Sequence, residues 1–325
     1  MRYFWNCFFL LLCLTGTSCG CEFALSPPHE TRLRVATYNT QLFFDAIDDG
    51  TEFKEFRGTG TRWSAQKYEI RLNRLCEALL LCGSASGMRP NTAPDIIVLQ
   101  EVESERVVRD VCNRLPQRNG HSNGVFIPSS TGAAFGCAVL SRYPVVSVTA
   151  HEAGTNGVSV RPLIEVVLDI QGIPLTIFAV HWKSKLGDDQ GRAVRGIQEQ
   201  LLFDRIAVCI EKNDESLFIA CGDFNQTPEE FSIMHEYLNI WSFPKSCSNM
   251  TVEGTFWYDD RWEAIDHFFC SESLFNGVLP DVEMARVVAL EPLLSAQQTP
   301  ARYDLYSGKG YSDHLPLVLT ILMRE

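Results

Sequence analysis

Five short stretches of this chain collect the residue types that phosphate-ester chemistry uses. They are Asn39 and Gln41 in Ala-Thr-Tyr-Asn-Thr-Gln, Glu101 in Leu-Gln-Glu-Val, and His181 in Val-His-Trp-Lys. Asp223 and Asn225 follow in Gly-Asp-Phe-Asn, and Asp313 with His314 in Ser-Asp-His-Leu-Pro. Hydrolysing a phosphodiester takes a hard cation on oxygen donors, a base to activate water and an acid for the leaving oxygen. Carboxylates, side-chain amides and two imidazoles supply that set. Singly, each stretch has a plainer reading. Gly-Asp-Phe-Asn satisfies turn geometry, a lone His181 suits a core, and Asp313-His314 can cap a loop. Their shared position gives them weight, because each lies at or just past the end of an apolar run, where α/β sheets gather ligands.

The elements that must hold these residues can be read from hydrophobic period. Leu33–Tyr38 and Ile96–Leu99 predict strands, followed by others near 135–140, 163–169, 174–181, 217–221, 264–270 and 315–322. Tyr68, Leu72, Leu75, Cys76 and Leu79 recur at helical spacing and predict a helix over about 65–82. Val107, Val108, Val111, Cys112 and Leu115 mark a second helix. A third, over about 190–211, presents Val194, Ile197, Leu201 and Ile206. A further helix is expected after Asp223, with Thr227 as cap, Pro228 at the first position and Glu230 completing a capping box. The alternation of strands and helices, without internal repeats or an evident inter-domain linker, implies one α/β domain.

Composition limits the function classes. The chain has 325 residues, 46% of them hydrophobic, and carries a net charge of -12, which argues against tight static binding along a phosphate backbone. An enzyme needs only a local site and rapid release, and a cation-binding carboxylate cluster adds to the acidity. Residues 1–21 are read as an export signal. Arg2 precedes the short apolar run Phe8–Leu12, and Gly16-Thr17-Ser18-Cys19 is similar to a bacterial lipoprotein cleavage box with Cys19 as the lipidated residue. Gly16 departs from the larger residue usual there. Residues 22–31 form a polar linker with Pro27-Pro28, leaving a domain over 32–325. The expected location is therefore outside the cytoplasm, periplasmic or membrane-anchored, in a bacterium. Cys76, Cys82, Cys112, Cys137, Cys209, Cys221, Cys247 and Cys270 sit in mostly apolar runs without CxxC spacing. They read as small buried hydrophobes.

In their order, Asn39-x-Gln41, Leu99-Gln100-Glu101-Val102, Gly222-Asp223-Phe224-Asn225, Ile265-Asp266-His267 and Ser312-Asp313-His314-Leu315-Pro316 make a chain that resembles the endonuclease/exonuclease/phosphatase superfamily, which includes deoxyribonuclease I. The resemblance spans about residues 32–323. It implies a four-layer α/β sandwich of two mixed β-sheets flanked by helices, and Mg²⁺ dependence with Mn²⁺ as the alternative. It also assigns roles. Glu101 would be the main metal ligand, aided by Asn39 and Asp313. Asp223 would orient or deprotonate water, and Asn225 would touch phosphate. His314, held by Asp266, would act on the scissile phosphate, and His181 would serve the leaving oxygen. Arg161 matches an arginine placed near the phosphate, and Lys183 and Lys185 are candidate phosphate contacts. Arg142 is expected to support structure. Gln41 and His181 tilt the resemblance away from abasic-site enzymes. The implied substrate is nucleic acid or another phosphodiester, hydrolysed by an exported, monomeric nuclease with no protein partner inferable. The alternatives are a sphingomyelinase-like phospholipase, for which Phe256, Trp257, Tyr258 and Trp262 could dip into lipid, and a non-catalytic surface-binding lipoprotein.

Overall fold

The computed structural model describes residues 31–57, 62–128, 134–153, 160–185, 189–234, 239–240 and 252–324. The expected export signal with Cys19, the expected linker up to Glu30, and Cys247 lie outside the described residues. In chain order the elements begin β1 (Thr31–Phe43), α1 (Ala65–Ala85), β2 (Ile96–Val102), α2 (Glu105–Arg114), β3 (Asn123–Ile127), β4 (Gly136–Ser141), β5 (Val145–His151), β6 (Leu163–Ile170) and β7 (Ile173–His181). They continue with α3 (Asp189–Lys212), β8 (Leu217–Asp223), β9 (Asn239–Ile240), β10 (Phe256–Tyr258), β11 (Arg261–Glu263), β12 (Asp266–Cys270), β13 (Asp281–Val287) and β14 (Leu317–Met323).

Two six-stranded sheets result. The first has the order β13-β14-β1-β2-β4-β3 and the second β5-β6-β7-β8-β12-β9, while β10 and β11 form a separate hairpin. Each sheet holds one parallel pair at its centre, β1 with β2 and β7 with β8, and is otherwise antiparallel. A parallel pair needs a crossover, and α1 and α3 supply the two crossovers. Both sheets are thus mixed, and their strand ends define one common edge.

Alternation within a strand assigns its side chains to layers. On β7, Ile177 and Ala179 join the large core that fills the space between the sheets, whereas Phe178 and Val180 join a second cluster with Leu202, Ile206 and Cys209 of α3. Burial on both faces is why β7 and β8 read as continuous apolar runs. On the far side, Tyr68, Leu72, Leu75 and Leu79 of α1 pack on the first sheet. Helix, sheet, sheet and helix give the four-layer sandwich expected from the sequence. All seven cysteines described are free, and all but the half-buried Cys112 are buried. Among the described residues no helix is long and apolar enough to cross a membrane.

Two helical expectations need correction. On α3, Ile197 is 40% exposed, and the buried stripe includes Arg195, Gln198 and Glu199 beside Val194 and Leu202. The hydrophobic pattern misassigned this face because polar side chains on it are consumed by neighbouring loops. The Thr227 capping box forms, but it caps a single 3₁₀ turn, Pro228–Glu230. Phe231 then takes extended backbone, because the next turn is started by a different acceptor, the Glu199 carboxylate. That group receives the backbone N–H groups of Ser232, Ile233 and Met234 at 2.9, 2.7 and 3.0 Å.

Candidate active site

The site begins with an irregularity between β1 and β2. Their pairing runs to Asn39 and Gln100, breaks, and resumes at Phe43 and Val102. Three residues on β1 therefore oppose one on β2. Gln41, Leu42 and Glu101 take left-handed backbone, with φ of 53, 51 and 60°, a conformation rare for non-glycine residues and concentrated at functional sites. A bulge leaves carbonyls without ladder partners. The fully buried Arg71 of α1 supplies them, donating to Leu42 O at 2.7 Å, to Thr40 O at 2.8 Å and to Gln41 O. The bulge also turns the Leu42 N–H onto Glu101 Oε2 at 2.6 Å and the Gln41 N–H onto Asn39 Oδ1 at 3.0 Å. Gln41 itself is spent on the Tyr303 backbone, through both its amide N and O.

In the second sheet, register places His181 directly opposite Asp223 at the paired ends of β7 and β8. The preceding Gly222 is required there. It has φ 144°, and a Cβ would fall 1.9 Å from Val180 O. Beyond Asp223 the chain is pinned by the Trp182 carbonyl, which accepts from Asn225 Nδ2 at 3.2 Å and from Arg161 at 3.2 Å. The antiparallel strands add their N-terminal ends to the same edge. Asp266, first residue of β12, stands opposite Asp223. His314 comes just before β14, its backbone held by Ser312 Oγ, which in turn donates to Asn39 O at 2.7 Å.

These ends meet. Asn39 Nδ2 donates to Asp223 Oδ2 at 2.9 Å and reaches Glu101 Oε1 at 3.4 Å. His181 Nε2 lies 3.7 Å from Glu101 Oε1 and 3.8 Å from Asp223 Oδ2. His314 Nδ1 is bonded to Asp266 Oδ2 at 2.8 Å, and its Nε2 is 3.9 Å from Asp223 Oδ2. Burial, reinforced by the neighbouring Asp266 charge, pushes the Asp223 carboxyl up to about 7. For His314, burial works against the charged form, but Asp266 beside it wins and raises the imidazole to about 10. His181 is driven the other way, well below its ordinary range, by burial and by the cations of Arg161 and His314. One imidazole is thus held cationic and the other neutral. As arranged here, His181 is a hydrogen-bonding group rather than a stored proton.

The donor set suits a hard divalent cation. Glu101 and Asp223 flank one amide and one imidazole, offering carboxylate oxygens from both sheets. Two orphaned buried nitrogens, His181 Nδ1 and Arg161 Nε, mark this pocket as built for a further polar group. Asp223, Asp266 and His314 also form a cluster with ligand atoms within 4.8 Å of one another. We assign that trio to proton handling, since the imidazole is cationic and already bonded to Asp266.

Other sequence candidates fall at varying distance. Asp313 adjoins His314, and its carboxylate faces Arg302 at 3.7 Å rather than Glu101 among the contacts described. Asn39 turns its amide nitrogen, not its oxygen, toward the carboxylates. Lys185 is occupied by Glu230 at 2.8 Å and Glu263 at 3.3 Å, and the exposed Lys183 is fixed through its backbone, its N–H donating to Gln198 and its carbonyl accepting from Arg195. Arg142 is structural, bonded to Asp95 at 2.6 Å. Sequence reasoning missed Thr255, Ser312 and Arg71. Thr255 is fully buried and donates to Asp266 Oδ2 at 2.6 Å. Thr255 and Arg71 lie outside the motifs, where a hydroxyl or an arginine gives no signal by period or spacing, and Ser312 lies within one but its type alone does not show that it ties His314 to Asn39.

The architecture and the site together define a class, that of deoxyribonuclease I-like phosphoesterases. The chain belongs to the Endonuclease/Exonuclease/phosphatase family, whose pattern it matches over residues 34–323. Among solved structures it is similar to truncated TDP2 from Caenorhabditis elegans, at 17% identity over 90% of this chain and 97% of that one, with a TM-score of 0.56. An endonuclease/exonuclease/phosphatase from Bacteroides vulgatus also shares 17% identity over 91% and 100% of the two chains, TM-score 0.56. The human Nocturnin catalytic domain with bound sulfate anion shares 21% over 91% and 99%, TM-score 0.55. These likenesses establish the fold. No curated protein matches the sequence.

Proposed function

We propose that this protein is a divalent-cation-dependent phosphodiester hydrolase, with Mg²⁺ or Mn²⁺ as the ion, acting as an exported nuclease. The observation that carries it is the meeting of Glu101, Asp223 and Asp266 with two oppositely tuned imidazoles at one edge shared by both sheets. Glu101, with Asn39 and Asp313 as further candidate ligands, would hold the cation, which when bound supplies charge neutralisation at the phosphate. Asp223, with a carboxyl near neutrality, accepts the proton of the attacking water at Oδ2. The cationic His314 Nε2 faces the same space and balances charge on the phosphoryl oxygens, its orientation fixed by Asp266. Arg161 adds a second cation beside His181, and neutral His181 donates a hydrogen bond toward the leaving oxygen, which takes its proton from solvent as the ester bond to phosphorus breaks.

A panel of phosphodiesters and phosphomonoesters, run with Mg²⁺ and with chelator, tests the reading. Diester turnover that chelation abolishes, and that Asp223→Ala or His314→Ala lowers by orders of magnitude with the fold intact, is the expected result. Unchanged turnover in either variant refutes it. The apolar run Phe8–Leu12 and Cys19 support export and anchorage. Loss of lipid labelling in Cys19→Ser is the corresponding check.

A further inference from the structure

The hairpin β10–β11 leans on the catalytic histidine. Phe256 pairs with His314 in an isolated antiparallel bridge, their rings 4.7 Å apart and tilted by 32°. Tyr258, two residues on and therefore on the same strand face, stacks on Phe256 at 6.1 Å with the rings only 9° from parallel. The opposite face is the anchor. There Trp257 and Trp262 pair across the strands, edge to face at 5.3 Å, and Trp262 packs against the core. One face of the hairpin is thus fastened to the body, and the other forms a flat aromatic ladder from the imidazole to solvent, ending on Tyr258 at 50% exposure.

We infer that this ladder is a stacking subsite for a nucleobase, and that the substrate is a short nucleoside phosphodiester. The inference rests on the phosphodiester-hydrolase reading above and deepens it. A base has a π-face that an exposed aromatic ring can receive without regard to sequence, and steps of 4.7 and 6.1 Å keep that ring within a nucleotide's reach of His314. Lipid is disfavoured by the tip of the hairpin. The turn is Asp259-Asp260, in left-handed backbone with φ 50 and 56° and exposed at both positions, and two carboxylates are costly to push into a bilayer and are repelled by anionic headgroups. Long polyanions are disfavoured by the net charge of -12, which removes the steering such a substrate exploits.

The test compares an uncleavable methylphosphonate-linked thymidine dinucleotide with two analogues, each bearing a base-free tetrahydrofuran in place of one nucleoside. Binding to the full chain is measured by calorimetry with Mg²⁺ present. Removing the stacked base is expected to weaken binding about ten- to hundredfold. Tyr258→Ala should bring the dinucleotide down to the level of the analogue that lacks the stacked base while leaving that analogue unaffected, and Tyr258→Phe should restore it. Equal binding of all three ligands overturns the proposal, as does a base preference that survives in Tyr258→Ala. Hydrolysis of sphingomyelin vesicles by a protein that ignores the dinucleotides overturns it in favour of lipid. Base-dependent binding without hydrolysis of the natural dinucleotide leaves the subsite standing and refutes the hydrolase reading instead.

Discussion

Thr255→Val tests the geometry at its least obvious point. Asp266 Oδ2 receives two hydrogens, one from Thr255 Oγ1 at 2.6 Å and one shared with His314 Nδ1 at 2.8 Å. Thr255 is itself immobilised, its N–H donating to Glu263 O at 3.0 Å and its carbonyl accepting from Leu315 N at 2.7 Å. The hydroxyl therefore ties the carboxylate to the strand beside the histidine. Valine keeps the shape and removes the donor. A hydrogen bond to a charged group contributes about 1.5–3 kcal/mol, and at about 1.36 kcal/mol per tenfold in rate its full expression at the transition state lowers kcat about ten- to hundredfold. KM should hold, since Thr255 is buried beneath the site. Thr255→Ser keeps the hydroxyl and should retain most activity. Steady-state hydrolysis of a phosphodiester, with denaturant unfolding to confirm that each variant is folded at the assay temperature, decides the matter. A valine variant with wild-type kcat, or serine and valine variants equally impaired, would show that Thr255 merely fills space.

Three other outcomes follow from the same contacts. Glu199→Ala should cost about 3 kcal/mol in denaturant unfolding, because the buried carboxylate accepts four hydrogen bonds, three from backbone N–H groups and one from Ser232 Oγ, which truncation orphans; an unchanged midpoint would remove α3 as the clamp on the Asp223 loop. Gly222→Ala should be folded poorly or not at all, at a cost above about 3 kcal/mol, since the added Cβ meets Val180 O at 1.9 Å in a backbone of φ 144°; normal thermal unfolding of this variant contradicts the argument. His121 gives the protein an acid limit: burial, only partly offset by its bond to Pro94 O, lowers its imidazole to about 4. Below pH 6.5 the unfolded chain binds a proton that the native one refuses, so stability falls as pH drops from 6.5 to about 4, by at most about 3 kcal/mol. His121→Gln should flatten that part of the stability–pH curve, and an unchanged slope would exclude the histidine.

Strands were legible where both faces are buried. The run Ile96–Leu99 and the segment 174–181 became β2 and β7 with small shifts at their ends. β5 was not, because Val146–Ala150 is an exposed edge, where neither burial nor alternation imposes a pattern. The polar strand ends were visible as residue types at the right places, and the fold brings Asn39, Glu101, His181, Asp223, Asp266 and His314 into one cluster. What the sequence could not carry was the geometry that differentiates them. Two histidines are indistinguishable as letters, yet one is cationic because a carboxylate lies 2.8 Å from it, and the other is neutral because burial, reinforced by an arginine charge, has no such carboxylate bond to offset it. Likewise Gln41, read as a site residue from its spacing, proves to be a staple on the Tyr303 backbone.

The site also explains why the fold needs both sheets. Asn39 and Glu101 end the parallel pair of the first sheet, and His181 and Asp223 end that of the second. Neither pair alone holds both the Glu101 and Asp223 carboxylates, and the 2.9 Å bond from Asn39 to Asp223 crosses from one sheet to the other. The separation of the catalytic groups is therefore set by the side chains packed between the sheets, such as Ile177, Ile219 and Cys221, all fully buried. Close-packed interiors transmit changes of a single methylene, so the chemistry at the edge is tuned by apolar residues that never touch the substrate.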